Sequence, residues 1–553
     1  MTLAKGAGRA ARNPLLPALL TSLWLATAAN WPLWRSVFDA SGLHGWPAAR
    51  FVAGLGVMIA GLYLAALALG AWRGLIRPLC TLAVLVAAAG AHYIGRYGIV
   101  IDRTMVVNLL QTHPGEAADL IDPALLASLL LLAGPPLWWI WRTPLQRLSL
   151  PSQALCNGAV LLGALGVAGV ALLLNFGALS ATLRHHRAMR YMINPANTFV
   201  ALGRIAVGAR ARDLGPPQPI GADATLLPAV PGAKPPLLLL VVGETARADR
   251  FSLNGYARNT NPMLSERGAI SLSQVSSCGT STAVSVPCMF SALGQARFLD
   301  REREQENLLD LLQRAGLAVL WIDNQAGCKG VCDRVPHAHT DDLPEAVRAR
   351  LCQDGECLDE ALLAGLDERL AALPAERRAR GVVLVMHQMG SHGPAYDRRS
   401  PAAHKPFEPE CHSRALQDCT QQALDNVYDN SIASTDRMLA HAIDWLGTQS
   451  GRYDPRLLYL SDHGESLGEG HIYLHGMPLA LAPREQMHVP LLLWLPPDAA
   501  TQAGCLRAQR DWPLSHDHLF HTVLGMVGVR SAEYRPALDL SGTCRGKALA
   551  ASG

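Results

Sequence analysis

Two short stretches carry the residue types that activated-hydroxyl chemistry needs. SSCGTSTAVSVPCMFS, residues 276–291, sets Thr280, Ser281, Thr282 and Ser285 between Cys278 and Cys288, and LSDHGES, residues 460–466, sets Asp462 beside His463. A threonine hydroxyl is a poor nucleophile at neutral pH, but coordination to a metal lowers its pKa and holds it as an alkoxide. A catalytic zinc takes His, Asp and Glu ligands and leaves room for a reacting group. Asp462 and His463 supply two ligand types, Glu244 a second carboxylate, and His392 and His475 further imidazoles. A disulfide across Cys278–Cys288 would fix the hydroxyl-bearing loop. A helix starting within 281–286 would turn backbone N–H groups toward a phosphate oxygen. Thr282 lies near the middle of the loop, but spacing alone does not choose between Thr280, Ser281 and Thr282.

The elements that must position these residues are legible as short apolar runs that end abruptly in polar ones. LLLLVVGETARADR turns polar at Glu244, LAVLWIDNQ at Asp323 and Asn324, GVVLVMHQMGSHG at His387 and His392, and RLLYLSDHGES at Asp462 and His463; HVPLLLWLPP closes the series. Continuous apolar runs of this length suit buried parallel strands. Helical patterns over 303–315, 357–372 and 425–447 lie between them. The expected fold is an α/β domain with a mostly parallel central sheet covered on both faces. Ligands bind at the carboxyl ends of such strands, so Glu244, His387, His392, Asp462 and His463 should meet in space. HAH, at His337 and His339, reads as a surface loop, and His516, His518 and His521 do not share one helical face and read as structural.

The first third of the chain has a different composition. Windows near 14–34, 49–72, 76–98, 123–141 and 157–181 are apolar, and each is about as long as the roughly 20 residues a helix needs to cross a hydrocarbon core. No small-residue cleavage site follows the first window, so a cleaved leader is the poorer reading. Lys5, Arg9 and Arg12, then Arg73 and Arg77, then Arg142 and Arg147 mark the cytoplasmic ends, which places everything after about residue 182 outside the cytoplasm. The loop 101–122 is too polar to span, and its Asn108, Thr112 and Glu116 recur at i, i+4, i+8 on one helical face. Trp138, Trp139 and Trp141 fit an interfacial belt. Residues 183–212 look helical and amphipathic, and the Pro- and Gly-rich 215–236 reads as an extended linker. The expected organisation is a five-helix transmembrane domain over 1–182, a bridging helix and linker over 183–235, and an exported catalytic domain over 236–553. A net charge of +3, with no basic patch interleaved with aromatics, gives no sign of nucleic acid.

Twelve cysteines test this layout. Cys80 and Cys156 fall in or beside apolar windows; the other ten follow residue 275, most in close pairs, Cys278/Cys288, Cys328/Cys332, Cys352/Cys357 and Cys411/Cys419, with Cys505 and Cys544 left for a long-range pair. Ten cysteines in one exported domain imply five disulfides and an oxidising compartment. The close pairs lack the neighbouring His/Cys sets of a zinc finger.

VVGETARADRFSLNGYARNTNP, SSCGTSTAVSVPCMFS, MHQMGSHGPAY and LYLSDHGESLGEGHIYLHG together resemble the membrane-bound phosphoethanolamine transferases of Gram-negative bacteria, and among them the lipid A-modifying enzymes associated with polymyxin resistance. The resemblance covers nearly the whole chain. It implies a catalytic domain of alkaline-phosphatase and sulfatase type. It further implies Thr282 as nucleophile, with Glu244, Thr282, Asp462 and His463 as zinc ligands. By the same resemblance His392 and His475 belong to a substrate or second-zinc region, and Lys329, the lysine of GCKGVC, joins the catalytic set. Asn108 and Glu116 match positions of headgroup binding. Two departures stand out: Gln325 where the family often has a second Asn, and Asp397 where another tyrosine is expected after SHGPAY.

The function expected is zinc-dependent transfer of phosphoethanolamine from phosphatidylethanolamine to a lipid A phosphate through a covalent threonine intermediate. One zinc is tightly bound, with a second in the region of His392 and His475. The expected setting is the bacterial inner membrane, with a monomeric enzyme whose catalytic domain lies in the periplasm. Rival readings are transfer to a lipopolysaccharide core sugar or a periplasmic glucan, or a membrane-tethered phosphodiesterase or sulfatase with water as acceptor. A sensor or transporter would place charged residues inside several spans, and these windows carry few.

Overall fold

The computed structural model describes residues 11–40, 45–111, 117–118, 120–212, 215–228, 231–353, 355–542 and 544. The chain divides into two compact units, one of residues 1–106 and 121–205 and one of residues 107–120 and 206–553.

In the first unit, Ala48–Leu69, Ile76–Tyr97 and Leu150–Ser180 are helical stretches long and apolar enough to cross a membrane. Pro123–Leu132 and Gly134–Arg142 make a fourth if the pair, bent by 40°, is one span. Among the described residues the expected five are therefore not all found. The first window is broken: helix Leu15–Ala26 stops at Thr27, a short 3₁₀ turn covers Ala28–Asn30, and helix Trp31–Ala40 follows. Pro32 explains the break, because it has no N–H for the carbonyl one turn back and its ring crowds that carbonyl. Asn30 Nδ2 takes up a freed carbonyl, that of Leu25, at 2.7 Å, and also reaches Asn194 O at 2.6 Å. Apolar composition gave the window its length, and a single proline divided it. The amphipathic stretch 183–212 is likewise broken, into the end of helix Leu150–His185, a 3₁₀ turn Arg187–Tyr191 and a helix Ala196–Arg212.

The second unit is built on an eight-stranded sheet. Its strands, numbered along the chain, are β1 Pro236–Gly243, β2 Ile270–Ser276, β3 Ala318–Asp323, β4 His337–His339, β5 Val382–His387, β6 Asp454–Ser461, β7 His488–Trp494 and β8 Leu514–Ser515. Their order across the sheet is β8-β2-β7-β6-β1-β5-β3-β4. The sheet is mixed: β7 runs antiparallel to both β2 and β6, and the other neighbours are parallel. HVPLLLWLPP was expected to be parallel like the rest. A run buried on both faces is apolar whichever way it points, so composition does not encode direction. HAH is the edge strand β4 and not a loop.

The continuous apolar runs arise because both faces of the sheet are covered. Leu238, Leu240 and Val242 of β1 feed one core with Val286, Phe290, Trp321 and Phe520. Leu237, Leu239 and Val241 feed the other, under helix Gln421–Gln449 with its Leu424, Val427 and Leu439. Thr420 caps that helix, accepting from Ala423 N–H. The linker is not wholly extended. Ile220 is buried against the first core, and Thr225–Leu226 pair with Val529–Arg530. All five expected disulfides are present, Cys505–Cys544 included.

Candidate active site

Four of the parallel strands deliver a polar residue at or just past their carboxyl ends. Glu244 follows β1, Asp462 and His463 follow β6, His387 ends β5 and Asp323 ends β3. Glu244, Asp462 and His463 are fully buried, and one ligand atom from each lies within 4.8 Å of the others. The β1 and β6 ends are registered by the backbone. Asp462 N–H donates to Gly243 O at 2.9 Å, and Thr245 N–H donates back to Asp462 Oδ1 at 3.2 Å.

The hydroxyl loop arrives from β2. Ser281 is extended, and helix Thr282–Met289 begins at Thr282. Geometry separates the three hydroxyls that spacing could not. Thr280 Oγ1 donates to Met477 O at 2.6 Å. Ser281 Oγ is buried and has no hydrogen-bond partner among the described residues. Thr282 Oγ1 lies 3.1 and 3.3 Å from the two carboxylate oxygens of Glu244 and 3.4 Å from His463 Nε2. The Gln325 amide also reaches Glu244 Oε2, at 3.0 Å, so the departure at this position keeps a contact with the cluster.

The imidazoles are oriented by their outer nitrogens. His463 Nδ1–H donates to Gly464 O at 2.9 Å, which leaves Nε2 facing Thr282, Glu244 and Asp462 with its lone pair. Burial, with His475 beside it, holds His463 well below the usual imidazole range. His475 Nδ1 lies 3.1 Å from Glu465 Oε1, and its ring stands 4.5 Å from that of His463 and 5.1 Å from that of His392. Burial and then His475 hold His392 well below its usual pKa. Burial raises the Asp462 carboxyl.

These residues fit a zinc ion. Two carboxylates, an imidazole and a hydroxyl are the oxygen and nitrogen donors this metal takes. Asp462 Oδ2 is buried with no hydrogen-bond partner among the described residues. An ionised oxygen in that position is costly unless a cation compensates it. Cys328, Cys332 and Asp333 also cluster, but their two sulfurs are joined in a disulfide and are not thiolate ligands.

Other expected positions fall farther out. His387 has no exposed surface; its Nδ1 lies 3.2 Å from Asp323 Oδ2 and its ring packs on Trp321, so it is a buried partner of Asp323. Burial pushes Asp323 up, but His387 and the hydrogen bonds it receives outweigh this and hold it below the usual carboxylate range. Lys329 Nζ donates to Gln111 O and Ala326 O at 3.0 and 2.9 Å. It lines a cavity of about 340 Å³ together with Ala283 and Pro287 of the Thr282 helix. Asn108 is half-buried in helix Arg103–Gln111, and Thr112 and Glu116 lie outside the described residues. Asp397 is held by Arg414 at 2.6 Å, not by the cluster.

Sequence reasoning missed Glu465 and Asp359. Asp359 accepts from Met389 and Gly390 N–H at 2.8 and 2.9 Å and so anchors the loop to His392. Gly390 has φ +55, and a Cβ there would stand 2.5 Å from Glu244 O, so only glycine lets this loop pass. Glu465, three residues after Asp462, was within reach of the motif. Asp359 lies in an acidic 3₁₀ turn just after the two-residue strand Glu356–Cys357, away from the ends of the main sheet, and nothing in the pattern marks it.

A hydroxyl at a helix start, facing carboxylates and imidazoles at the carboxyl ends of a largely parallel sheet, is the arrangement of a sulfatase-type enzyme, and residues 236–529 match the Sulfatase family. Residues 59–209 match the family described as Phosphoethanolamine transferase EptA/EptB. The chain is 37% identical over 550 residues to phosphoethanolamine transferase EptA of Escherichia coli (strain K12), covering 97% of this chain and 98% of that protein. It is 38% identical over 475 residues to phosphatidylethanolamine transferase Mcr-1 of Escherichia coli, covering 83% and 85%. Its fold matches that of integral membrane lipooligosaccharide phosphoethanolamine transferase A from Neisseria meningitidis with a TM-score of 0.88 at 30% identity, over 96% of this chain and 98% of that one. The chain belongs to the phosphoethanolamine transferase family and is an enzyme of that class.

Proposed function

We propose that the enzyme moves phosphoethanolamine from phosphatidylethanolamine to a phosphate of lipid A through a covalent intermediate on Thr282. The observation that carries this reading is the position of Thr282 Oγ1, at a helix start and 3.1 Å from Glu244 beside His463 and Asp462. Glu244, Asp462, His463 and Thr282 would hold a zinc ion that lowers the pKa of the threonine hydroxyl and offsets phosphoryl charge.

In the first half-reaction Thr282 Oγ1 bonds to the donor phosphorus, and the bond from phosphorus to the glycerol oxygen breaks. The threonine proton is passed on and the departing oxygen takes one up, giving diacylglycerol. His475, oriented by Glu465, and His392 beside it are placed to carry that proton. In the second half an acceptor phosphate oxygen attacks the same phosphorus. The bond to Thr282 breaks, the hydroxyl regains its proton, and a phosphoanhydride to ethanolamine phosphate is left on the acceptor. Lys329 and the N–H groups at the start of helix Thr282–Met289 would balance charge on the phosphoryl oxygens.

The same reading assigns the setting. The catalytic domain, 236–553, lies in the periplasm of a Gram-negative cell, where five disulfides form and persist. The membrane domain, 1–182, is anchored in the inner membrane by five spans, the broken first window counted as one, with 183–235 bridging to the catalytic domain. The enzyme acts as a monomer, and modified lipid A, less anionic, resists polymyxin. The test is mass spectrometry of lipid A from cells carrying the chain or its Thr282→Ala variant. An added phosphoethanolamine mass with the first and none with the second is expected. A modified core sugar or glucan with unmodified lipid A would move the acceptor, and release of free phosphoethanolamine alone would make the enzyme a hydrolase.

A further inference from the structure

The loop that carries Thr282 and the loop that carries Asp462 and His463 leave strands that are not neighbours: β7 lies between β2 and β6. β7 pairs with both, and the residues leading into it tie the two loops by backbone: Ser277 N–H donates to Met487 O at 2.8 Å and Gly464 N–H to Gln486 O at 3.0 Å. A side chain from outside these three strands ties the ends a second time. His516 accepts the Cys278 N–H at Nδ1, 3.1 Å, and donates from Nε2 to Ser461 O, 2.9 Å. The ring is buried, and a single neutral tautomer satisfies both bonds.

The link continues on both sides. Ser461 Oγ accepts from Ala246 N–H at 2.8 Å, two residues past Glu244, and donates to His463 O at 3.0 Å. Cys278 O is taken by Gln295 Nε2 at 2.8 Å, while Gln295 N–H donates to Asp517 Oδ1 at 2.8 Å, beside His516. Cys278 is thus held at its N–H by His516 and at its C=O by Gln295, which Asp517 at the start of helix Asp517–Met526 anchors in turn, and the disulfide to Cys288 passes that constraint to the far end of the Thr282 helix.

We infer that His516 is a positioning residue for the transfer reaction: by bridging Cys278 N–H to Ser461 O it sets the distance from the Thr282 hydroxyl to the Glu244 and Asp462–His463 loops. The inference rests on Thr282 being the nucleophile. His516 is buried, and among the described residues its ring bonds to the backbone of Cys278 and Ser461 and not to Thr282. Its effect is on the geometry of attack, where a displacement of about 1 Å can cost on the order of 100-fold in rate. Sequence alone assigned this histidine a structural role, and the bridge is what gives that role a catalytic consequence.

The test compares His516→Phe, His516→Gln and Gln295→Leu in the full-length detergent-solubilised enzyme, with kcat and KM on a short-chain phosphatidylethanolamine, zinc content, the unfolding midpoint and the rate of adduct formation on Thr282. A glutamine offers one acceptor and one donor at nearly the imidazole spacing, whereas phenylalanine fills the volume and bonds neither group. His516→Phe should keep its zinc and KM but lose at least about tenfold in kcat and in adduct rate. His516→Gln should recover most of that, and Gln295→Leu, which frees only Cys278 O, should lose a few-fold in kcat alone. Wild-type kcat in folded His516→Phe would overturn the proposal, as would a Gln variant no better than Phe. If His516→Phe does not fold, Gln295→Leu decides, and an unchanged kcat in that variant would overturn the proposal. Thr282→Ala is measured alongside: turnover there would sink the nucleophile assignment itself, independently of the ratios at His516.

Discussion

Thr282 and Glu244 are 38 residues apart in the chain, and their side chains meet at 3.1 Å. One begins a helix fed by β2 and the other follows β1, so the pair exists only once the sheet has formed. The reactive geometry is therefore a property of the folded sheet and its loops, and each expectation below tests one part of that dependence.

The carboxylate cluster predicts metal dependence. Asp462→Asn removes charge without volume, and should lower zinc affinity at least as much as the roughly 10–100-fold typical of lost supporting groups. Activity should fall with it. Metal content after dialysis, measured beside turnover, checks this. Full activity in a metal-free variant would refute the role assigned to Asp462.

Cys278–Cys288 should matter to chemistry as well as to stability, because it closes the loop that carries Thr282. Replacing both by serine should cost about 2–3 kcal/mol, as short natural disulfides do. It should also lower turnover at temperatures where the variant is still folded. The same change at Cys411 and Cys419 should lower the unfolding midpoint only. Equal effects on turnover from the two pairs would remove the special role of the first.

Asp436 offers a test by pH away from the active site. Its carboxylate accepts from Met263 and Leu264 N–H at 3.0 and 2.9 Å, yet burial outweighs these donors and raises its pKa to about 6. The folded state then holds the proton more tightly than the unfolded chain. This group adds stability as pH falls from about 6 toward the ordinary aspartate value of 3.8, and that contribution is lost as pH rises through 6. Asp436→Asn should flatten the difference in unfolding midpoint between pH 5 and pH 7.5. Asp436→Ala, which leaves buried N–H groups unpaired, should cost about 1–3 kcal/mol.

Much of this was legible in the sequence, and the limits have physical causes. The ends of β1, β5 and β6 were readable because an apolar run buried on two faces stops where it meets polar chemistry, which located Glu244, His387, Asp462 and His463. The identity of the nucleophile was not readable from spacing, since Thr280 and Thr282 differ only in which way the loop turns them, toward Met477 O or toward Glu244. The direction of β7 and the break at Thr27 were missed because one depends on connectivity and the other on a single Pro32 in an otherwise uniform apolar window. Asp359 and the His516 bridge act through backbone N–H and C=O groups, which leave no trace in residue type.

The docking of the linker predicts how the catalytic domain can be cut free. Ile220 is buried and Thr225–Leu226 pair with Val529–Arg530. A chain starting at residue 215 should therefore be more stable than one starting at Lys234, by about 1.5–3 kcal/mol for the isoleucine alone. Thermal unfolding of the two fragments checks this. Both should turn over soluble headgroup analogues. Neither should modify lipid A in cells as the full chain does, since each lipid CH₂ drawn into water costs about 0.8 kcal/mol. Asn108→Ala in the full chain should weaken lipid transfer and spare the soluble assay.

The central claim is that Thr282 carries the phosphoethanolamine between donor and acceptor. The most direct measurement is peptide mass spectrometry of the full-length enzyme after incubation with phosphatidylethanolamine and no acceptor. The account predicts a phosphoethanolamine adduct on Thr282, absent from Thr282→Ala and discharged when lipid A is added. An adduct on Thr280 or Ser281, or turnover with no adduct on any residue, would contradict it.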